Sequence, residues 1–181
     1  VASQLTNAWA VLVDLADDAD ALAQRLADDE SLCQAAYFGQ FYLFEAWKKV
    51  DRQDLILSRL TPYYEMIRQG FTTWPEALNH GRSMCHAWSN AGSYQILNTI
   101  LGFSILIPGC RELLIAPHLG DLQQISGGFA TPRGPVRVSY RQEQGFTIEL
   151  PHHIRAILRH GGRDIELSAG HHEVGAADFS G

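Results

Sequence analysis

The sequence predicts a multidomain α and β protein in which helical hairpins are followed by a small antiparallel β-sandwich. Three observations predict it. Apolar residues recur at helical spacing through the first half, they alternate in the second, and the change falls at Ile107-Pro108-Gly109. The expected parts are therefore residues 1–107 and 108–181. With 46% hydrophobic residues among 181, there is material for one sizeable core or two small ones, which argues against disorder.

The helices follow in order. Leu5, Ala8, Trp9, Leu12 and Ala16 repeat on one face, predicting a helix over 5–15. A chain that opens at Val1 already in this pattern reads as starting within a longer architecture. Asp17-Asp18 suit the positive end of a second helix over 19–26. Ser31 with Gln34 three residues on matches a capping box, predicting a third helix through Tyr37, Phe38, Phe41, Phe44 and Trp47. Its aromatics surround it, which predicts burial on several sides, and Glu45 within it is expected to meet a backbone donor or an arginine. A fourth helix carries Leu60, Tyr63, Tyr64 and Ile67 and stops at Gly70. A fifth carries Tyr94, Leu97 and Leu101 on one stripe, and short connections between such helices suggest stacked hairpins.

In the second half Val136, Val138 and Tyr140 alternate with Arg137 and Ser139. Phe146, Ile148 and Leu150 alternate with Thr147 and Glu149, with Gln144-Gly145 available as the turn. Further strands are expected over 113–116, 122–126, 154–158 and 165–167. Gly127-Gly128, Pro132-Arg133-Gly134 and Gly161-Gly162 read as turns between them.

Several function classes are disfavoured. A net charge of -6 with 14 scattered basic residues offers no stripe for a phosphate backbone, so no nucleic-acid partner is expected. The longest apolar run, 100–107, is broken by Gly102 and Ser104 and is far shorter than the roughly 20 residues that span a bilayer, so no membrane span is expected. Cys33, Cys85 and Cys110 lack metal or redox spacing and predict unpaired, buried thiols. That favours a reducing compartment, with secretion open if a leader lies upstream. His152-His153 and His171-His172-Glu173 are adjacent pairs that would point to opposite faces of a strand, so no metal site is expected. Cys85 beside His86 is not by adjacency a nucleophile and base.

The chemistry-bearing segment is the break between the fourth and fifth helices, with Trp74-Pro75-Glu76, Arg82 and His86-Ala87-Trp88-Ser89. Aromatic rings stack on the apolar faces of a sugar, and a carboxylate fixed by a proline-stiffened loop can take a proton from water. The residues alone leave a second reading open, in which Glu76 is a solvated or Arg82-paired surface carboxylate.

The string Gly70-Phe71-Thr72-Thr73-Trp74-Pro75-Glu76, with Arg82-Ser83-Met84-Cys85-His86-Ala87-Trp88-Ser89, resembles the late catalytic-domain motif of bacterial α-L-rhamnosidases of glycoside hydrolase family 78. Tyr37-Phe38 and Phe41 to Ala46 resemble the helix before that motif. Leu101-Gly102-Phe103, Ile115 to Leu122 and Thr131 to Val136 resemble the beginning of the C-terminal β domain. The resemblance implies that 1–107 is the C-terminal part of an (α/α)6 toroid and 108–181 a β-sandwich domain. A six-hairpin toroid takes about twelve helices, and the pattern here supplies about five. The implied chemistry is inverting hydrolysis of terminal α-L-rhamnose, with Glu76 as general base, a general acid from an earlier part of the same polypeptide, and no cofactor. His86 would bind sugar hydroxyls or the water, Trp74 and Trp88 would stack, Arg82 would orient Glu76, and Tyr37 and Phe38 would line the funnel. The ligand is then an L-rhamnose-containing glycoside or polysaccharide, and the isolated chain is expected to be inactive. Two other readings stand beside it: a non-catalytic carbohydrate-binding module, and part of another six-hairpin enzyme such as a glycan phosphorylase or fucosidase.

Overall fold

The computed structural model describes residues 2–77 and 83–179. They form two compact units, Val1–Gln95 and Ile96–Gly181.

The first unit is helical. Helix α1 (Gln4–Leu12) begins at Ser3, whose hydroxyl accepts from the Thr6 amide at 3.1 Å, and α2 (Ala19–Asp28) begins at Asp18, which accepts from Ala21 N–H at 2.9 Å. The cap expected at Asp17-Asp18 is thus supplied by Asp18. Both helices bury one stripe (Ala8 and Val11, Ala23 and Leu26) against α3 (Gln40–Lys49), whose Leu43, Phe44, Ala46 and Trp47 are buried. Trp47 also donates its indole N–H to the Ala23 carbonyl at 3.0 Å, which satisfies the one polar atom of a fully buried side chain.

Helix α3 starts later than the capping-box pattern predicts. Ser31 donates to Asp29 instead, and Gln34 turns its amide to the Asp29 and Leu32 carbonyls, so neither residue caps a helix. Tyr37 and Phe38 therefore lie in the turn before α3 and not on it. Glu45 pairs with Lys48 at 3.0 Å and accepts from Gln95 at 2.8 Å, so its partners are a lysine and a side-chain amide.

A short helix α4 (Asp54–Ser58), absent from the expected elements, precedes α5 (Thr61–Arg68). Helix α5 buries Tyr63 and Met66, whereas Tyr64 and Ile67 are exposed, so its inward stripe is offset from the one expected. Gly70 follows at φ +86°, the left-handed conformation expected after the helix. The unit closes with a 3₁₀ turn, Ala87–Asn90, and helix α6 (Ala91–Gln95).

The second unit opens with a π-helical turn, Ile96–Ile100, in which Leu101 N–H reaches the Ile96 carbonyl at 2.9 Å. The wider turn interrupts the single stripe expected for a fifth helix. Leu97 and Leu101 pack instead with the β core. Two four-stranded sheets then form a sandwich among the described residues. One has the order β1 (Phe103–Ile107), β2 (Glu112–Ile115), β6 (Arg155–His160), β7 (Arg163–Leu167). The other runs β3 (Gln124–Thr131), β4 (Gly134–Arg141), β5 (Gly145–Leu150), β8 (Gly170–Val174). All pairings are antiparallel except β2 with β6, which is parallel.

The alternating pattern of β4 and β5 is borne out, with Val136, Val138, Phe146, Ile148 and Leu150 facing the core. Gly127-Gly128 is not a turn; it lies within β3, where a Cβ on Gly127 would stand 2.5 Å from Leu101 Cδ1. The missing side chain is what admits Leu101 to the sheet surface. His152 and His153 lie on a turn, with His153 at φ +64°, while His171 and His172 lie on β8. Cys110 is buried, but Cys33 and Cys85 are exposed, contrary to the expectation of three buried thiols.

Candidate functional site

The segment after α5 folds back on itself. His86 N–H donates to the Trp74 carbonyl at 2.8 Å, Glu76 N–H donates to the Ser83 carbonyl at 2.9 Å, and Thr73 Oγ1 donates to the Met84 carbonyl at 2.6 Å. These pairings hold 73–76 alongside 83–86, so the Trp-Pro-Glu and His-Ala-Trp-Ser strings, apart in sequence, share one loop base. Pro75 is buried in it, while Glu76 and His86 are half-buried. Arg82 lies outside the described residues.

Trp74 is fixed more firmly than a free stacking platform would be. Its indole N–H lies 3.1 Å from both Asn90 Oδ1 and Ser93 Oγ, and its ring meets Tyr63 edge-on at 5.3 Å. Tyr63 in turn meets Tyr37 at 5.5 Å, giving an aromatic series Tyr37, Tyr63, Trp74. Tyr63 is 4% exposed, and this burial pushes its hydroxyl well above the ordinary phenol range, so it stays neutral. Gly92 makes room for the Tyr63 ring, since a Cβ there would lie 2.8 Å from it.

Next to this series the helical unit carries an open cleft of about 380 Å³, walled by Phe38, Phe41, Tyr42, Trp88, Asn90 and Tyr94. Trp88 is 73% exposed, an unusual position for so large an aromatic side chain, and approaches Phe38 at 6.2 Å and His86 at 6.3 Å. Phe41 meets Tyr94 at 5.6 Å. Of the residues singled out in the sequence, Trp88 and Phe38 line this cleft and His86 adjoins it. Trp74 reaches it only through Asn90, and Tyr37 is not among its walls.

Sequence reasoning missed Asn90, Phe41, Tyr42 and Tyr94 as site residues. By spacing alone, Phe41 belongs to the buried aromatics of the third helix and Tyr94 to the stripe of the fifth. The available signal was Asn90 two residues past Trp88, a polar group beside a ring. Among the described residues no group of three or more histidines, cysteines or acids stands close enough to hold a metal ion, and no helix is long and apolar enough to cross a membrane.

The fold and sequence are similar to those of solved glycosidases. The native α-L-rhamnosidase of Aspergillus terreus matches over 95% of this chain with 25% identity and a TM-score of 0.76. The GH78 rhamnosidase of Bacillus sp. GL1 matches over 88% with 29% identity and a TM-score of 0.74. The α-L-rhamnosidase of Streptomyces avermitilis, solved with L-rhamnose, shares the fold over 93% of the chain at 20% identity, with a TM-score of 0.69. The chain spans only 24%, 19% and 21% of these three chains, respectively. No family model and no curated protein sequence matches it.

Proposed function

We propose that this chain is the C-terminal portion of an inverting α-L-rhamnosidase, with the helical unit belonging to an (α/α)6 catalytic toroid and the sandwich to the β domain after it. The likeness to solved α-L-rhamnosidases over nearly the whole chain carries this reading. In it, Glu76 takes a proton from the water that attacks the anomeric carbon, and an acid from the rest of the toroid protonates the departing oxygen. The paired backbone of 73–76 and 83–86 supports the base by fixing the Glu76 main chain. His86 binds a sugar hydroxyl or the water, Trp88 and Phe38 contact the sugar, and Arg82 orients Glu76. Trp74 and Tyr37 act from behind, through Tyr63 and Asn90. The substrate is a glycoside or polysaccharide ending in α-L-rhamnose, and this portion alone does not turn it over because the acid lies elsewhere.

The test is Glu76→Gln in the polypeptide that carries this sequence. Release of L-rhamnose should fall by about 10²–10⁴-fold, the usual contribution of a general base, with the far-UV circular dichroism unchanged. Near-normal turnover would remove Glu76 from the mechanism. A second reading, a carbohydrate-binding module without catalysis, is favoured by the openness of the aromatic cleft, and rhamnose binding without any turnover in the parent polypeptide would select it.

A further inference from the structure

We propose that Thr73 is a positioning residue, whose hydroxyl holds an extra residue in the return limb of the Trp74–His86 loop and so places His86, and not Cys85, opposite Trp74 on the face that carries Glu76. The proposal rests on the rhamnosidase reading above for what Glu76 and His86 do, and it adds a residue to which that reading gives no role.

The hydrogen bonds at the loop base do not match residue for residue. Glu76 N–H meets the Ser83 carbonyl, so an even antiparallel pairing would bring the Cys85 N–H to the Trp74 carbonyl. It is the His86 N–H that arrives there, at 2.8 Å. Two steps of chain, 74 to 76, answer three, 83 to 86, which is the arrangement of a β-bulge. Side chains alternate between faces along an extended limb, and one inserted residue reverses that alternation beyond it. Trp74 precedes a proline and is held to extended geometry, and His86 is itself extended. The extra residue therefore brings His86 to the face shared by Trp74 and Glu76 and turns Cys85 away. Burial agrees with this, since Cys85 is exposed whereas His86, Trp74 and Glu76 are half-buried.

The inserted residue costs the return limb its regular partners. Among the described residues no main-chain N–H reaches the Met84 or Cys85 carbonyl, and each accepts from a hydroxyl instead. Ser83 Oγ donates to Cys85 at 2.9 Å within the return limb, so it does not join the two limbs. Thr73 Oγ1 donates to Met84 at 2.6 Å across the loop and ties the limbs together at the bulge. A limb with a residue to spare can pair in either register, and the Thr73 hydroxyl favours the one in which the Met84 carbonyl lies within its reach. A slip by one residue would put Cys85 opposite Trp74 and turn His86 away from Glu76.

The experiment compares Thr73→Val and Thr73→Ser with the wild type in the polypeptide that carries this sequence, by hydrolysis of nitrophenyl α-L-rhamnoside and by amide hydrogen exchange at His86. Valine keeps the shape of threonine without the hydroxyl and serine keeps the hydroxyl, and Thr73 is exposed, so neither replacement threatens the core. Thr73→Val should lower kcat about tenfold, the scale of a displacement of under about 1 Å at a catalytic group. KM should move less than about threefold, because Trp88 and Phe38 lie outside the two limbs. The His86 amide should exchange about two- to tenfold faster, as expected when local opening no longer has to break that hydrogen bond. Thr73→Ser should recover both rate and protection. Unchanged rate and exchange in Thr73→Val would overturn the proposal. A slower rate with unchanged exchange also overturns it, since the hydroxyl would then act on substrate, and faster exchange at full rate leaves a clip with no positioning role. An equal loss in Thr73→Ser assigns the effect to the methyl group and overturns it as well. The rhamnosidase reading fails by a different result, near-normal turnover in Glu76→Gln or no release of L-rhamnose by the wild type, and the exchange comparison reads the Thr73 clip in either case.

Discussion

Gln4 shows how much a single buried amide can organise. It is almost fully buried, donates through Nε2 to the Leu26 carbonyl at 2.8 Å and accepts through Oε1 from the Ala35 amide at 2.8 Å. One side chain thus ties the start of α1 to the end of α2 and to the segment before α3. Gln4→Ala leaves both backbone groups without that partner, and the helical unit should lose about 1–3 kcal/mol, read as a lower urea midpoint at constant slope. Gly92→Ala should also destabilise this unit, by about 1–3 kcal/mol, because the added methyl meets the face of the buried Tyr63 ring. Neither role was legible in the sequence. Helical periodicity marks apolar positions and passes over a polar residue whose partners are distant carbonyls. The Trp74 motif was legible as a group of residues, but its hydrogen bond to Asn90 depends on a fold-back that no local pattern announces.

Elements were legible where one local rule acted alone. Strands β4 and β5 follow from strict alternation, and the start of α2 follows from an acidic cap. The start of α3 failed because Ser31 and Gln34 found closer partners in Asp29 and Leu32 than a helix would have given them. Strand β8 failed because His171, His172 and Glu173 contribute no apolar alternation; its place comes from the β5 edge that it pairs with. Strand β3 is longer than its sequence announces, because a glycine pair resembles a turn unless Leu101 stands above it. Gly127→Val tests that account. A branched side chain directed at Leu101 should cost the sandwich about 1–3 kcal/mol, visible as a lower thermal midpoint, while the helical unit's transition stays in place.

At the scale of the whole molecule, a passage from helix to strand was legible as a change of period, but β1 already begins at Phe103, before the Ile107-Pro108-Gly109 break expected; the proposed function rests on resemblance, since loop chemistry alone left Glu76 between two roles. The sandwich carries its own response to pH. His160 on β6 sits 5.1 Å from both Phe146 and Phe179, and burial lowers its pKa below the ordinary value of 6.5. As pH falls through about 6.5 the unfolded chain binds the proton first, so the β unit should lose stability below neutrality. Urea midpoints at pH 7.5 and 5.5 should show the decline, and His160→Gln should flatten it. The parallel contact of β2 with β6 has a consequence for how the chain acquires its structure. Strands β3, β4 and β5 are joined by tight turns and can zip together as soon as they leave the ribosome. Strand β1 reaches β2 through a short turn, but Glu112 must wait for Arg155, on the far side of that meander, before β2 gains its second neighbour. The β2–β6 pairing therefore closes after the β3–β4–β5 meander, and pulsed hydrogen exchange during refolding should find the amides of β4 protected before that of Arg155, which donates to the Arg111 carbonyl.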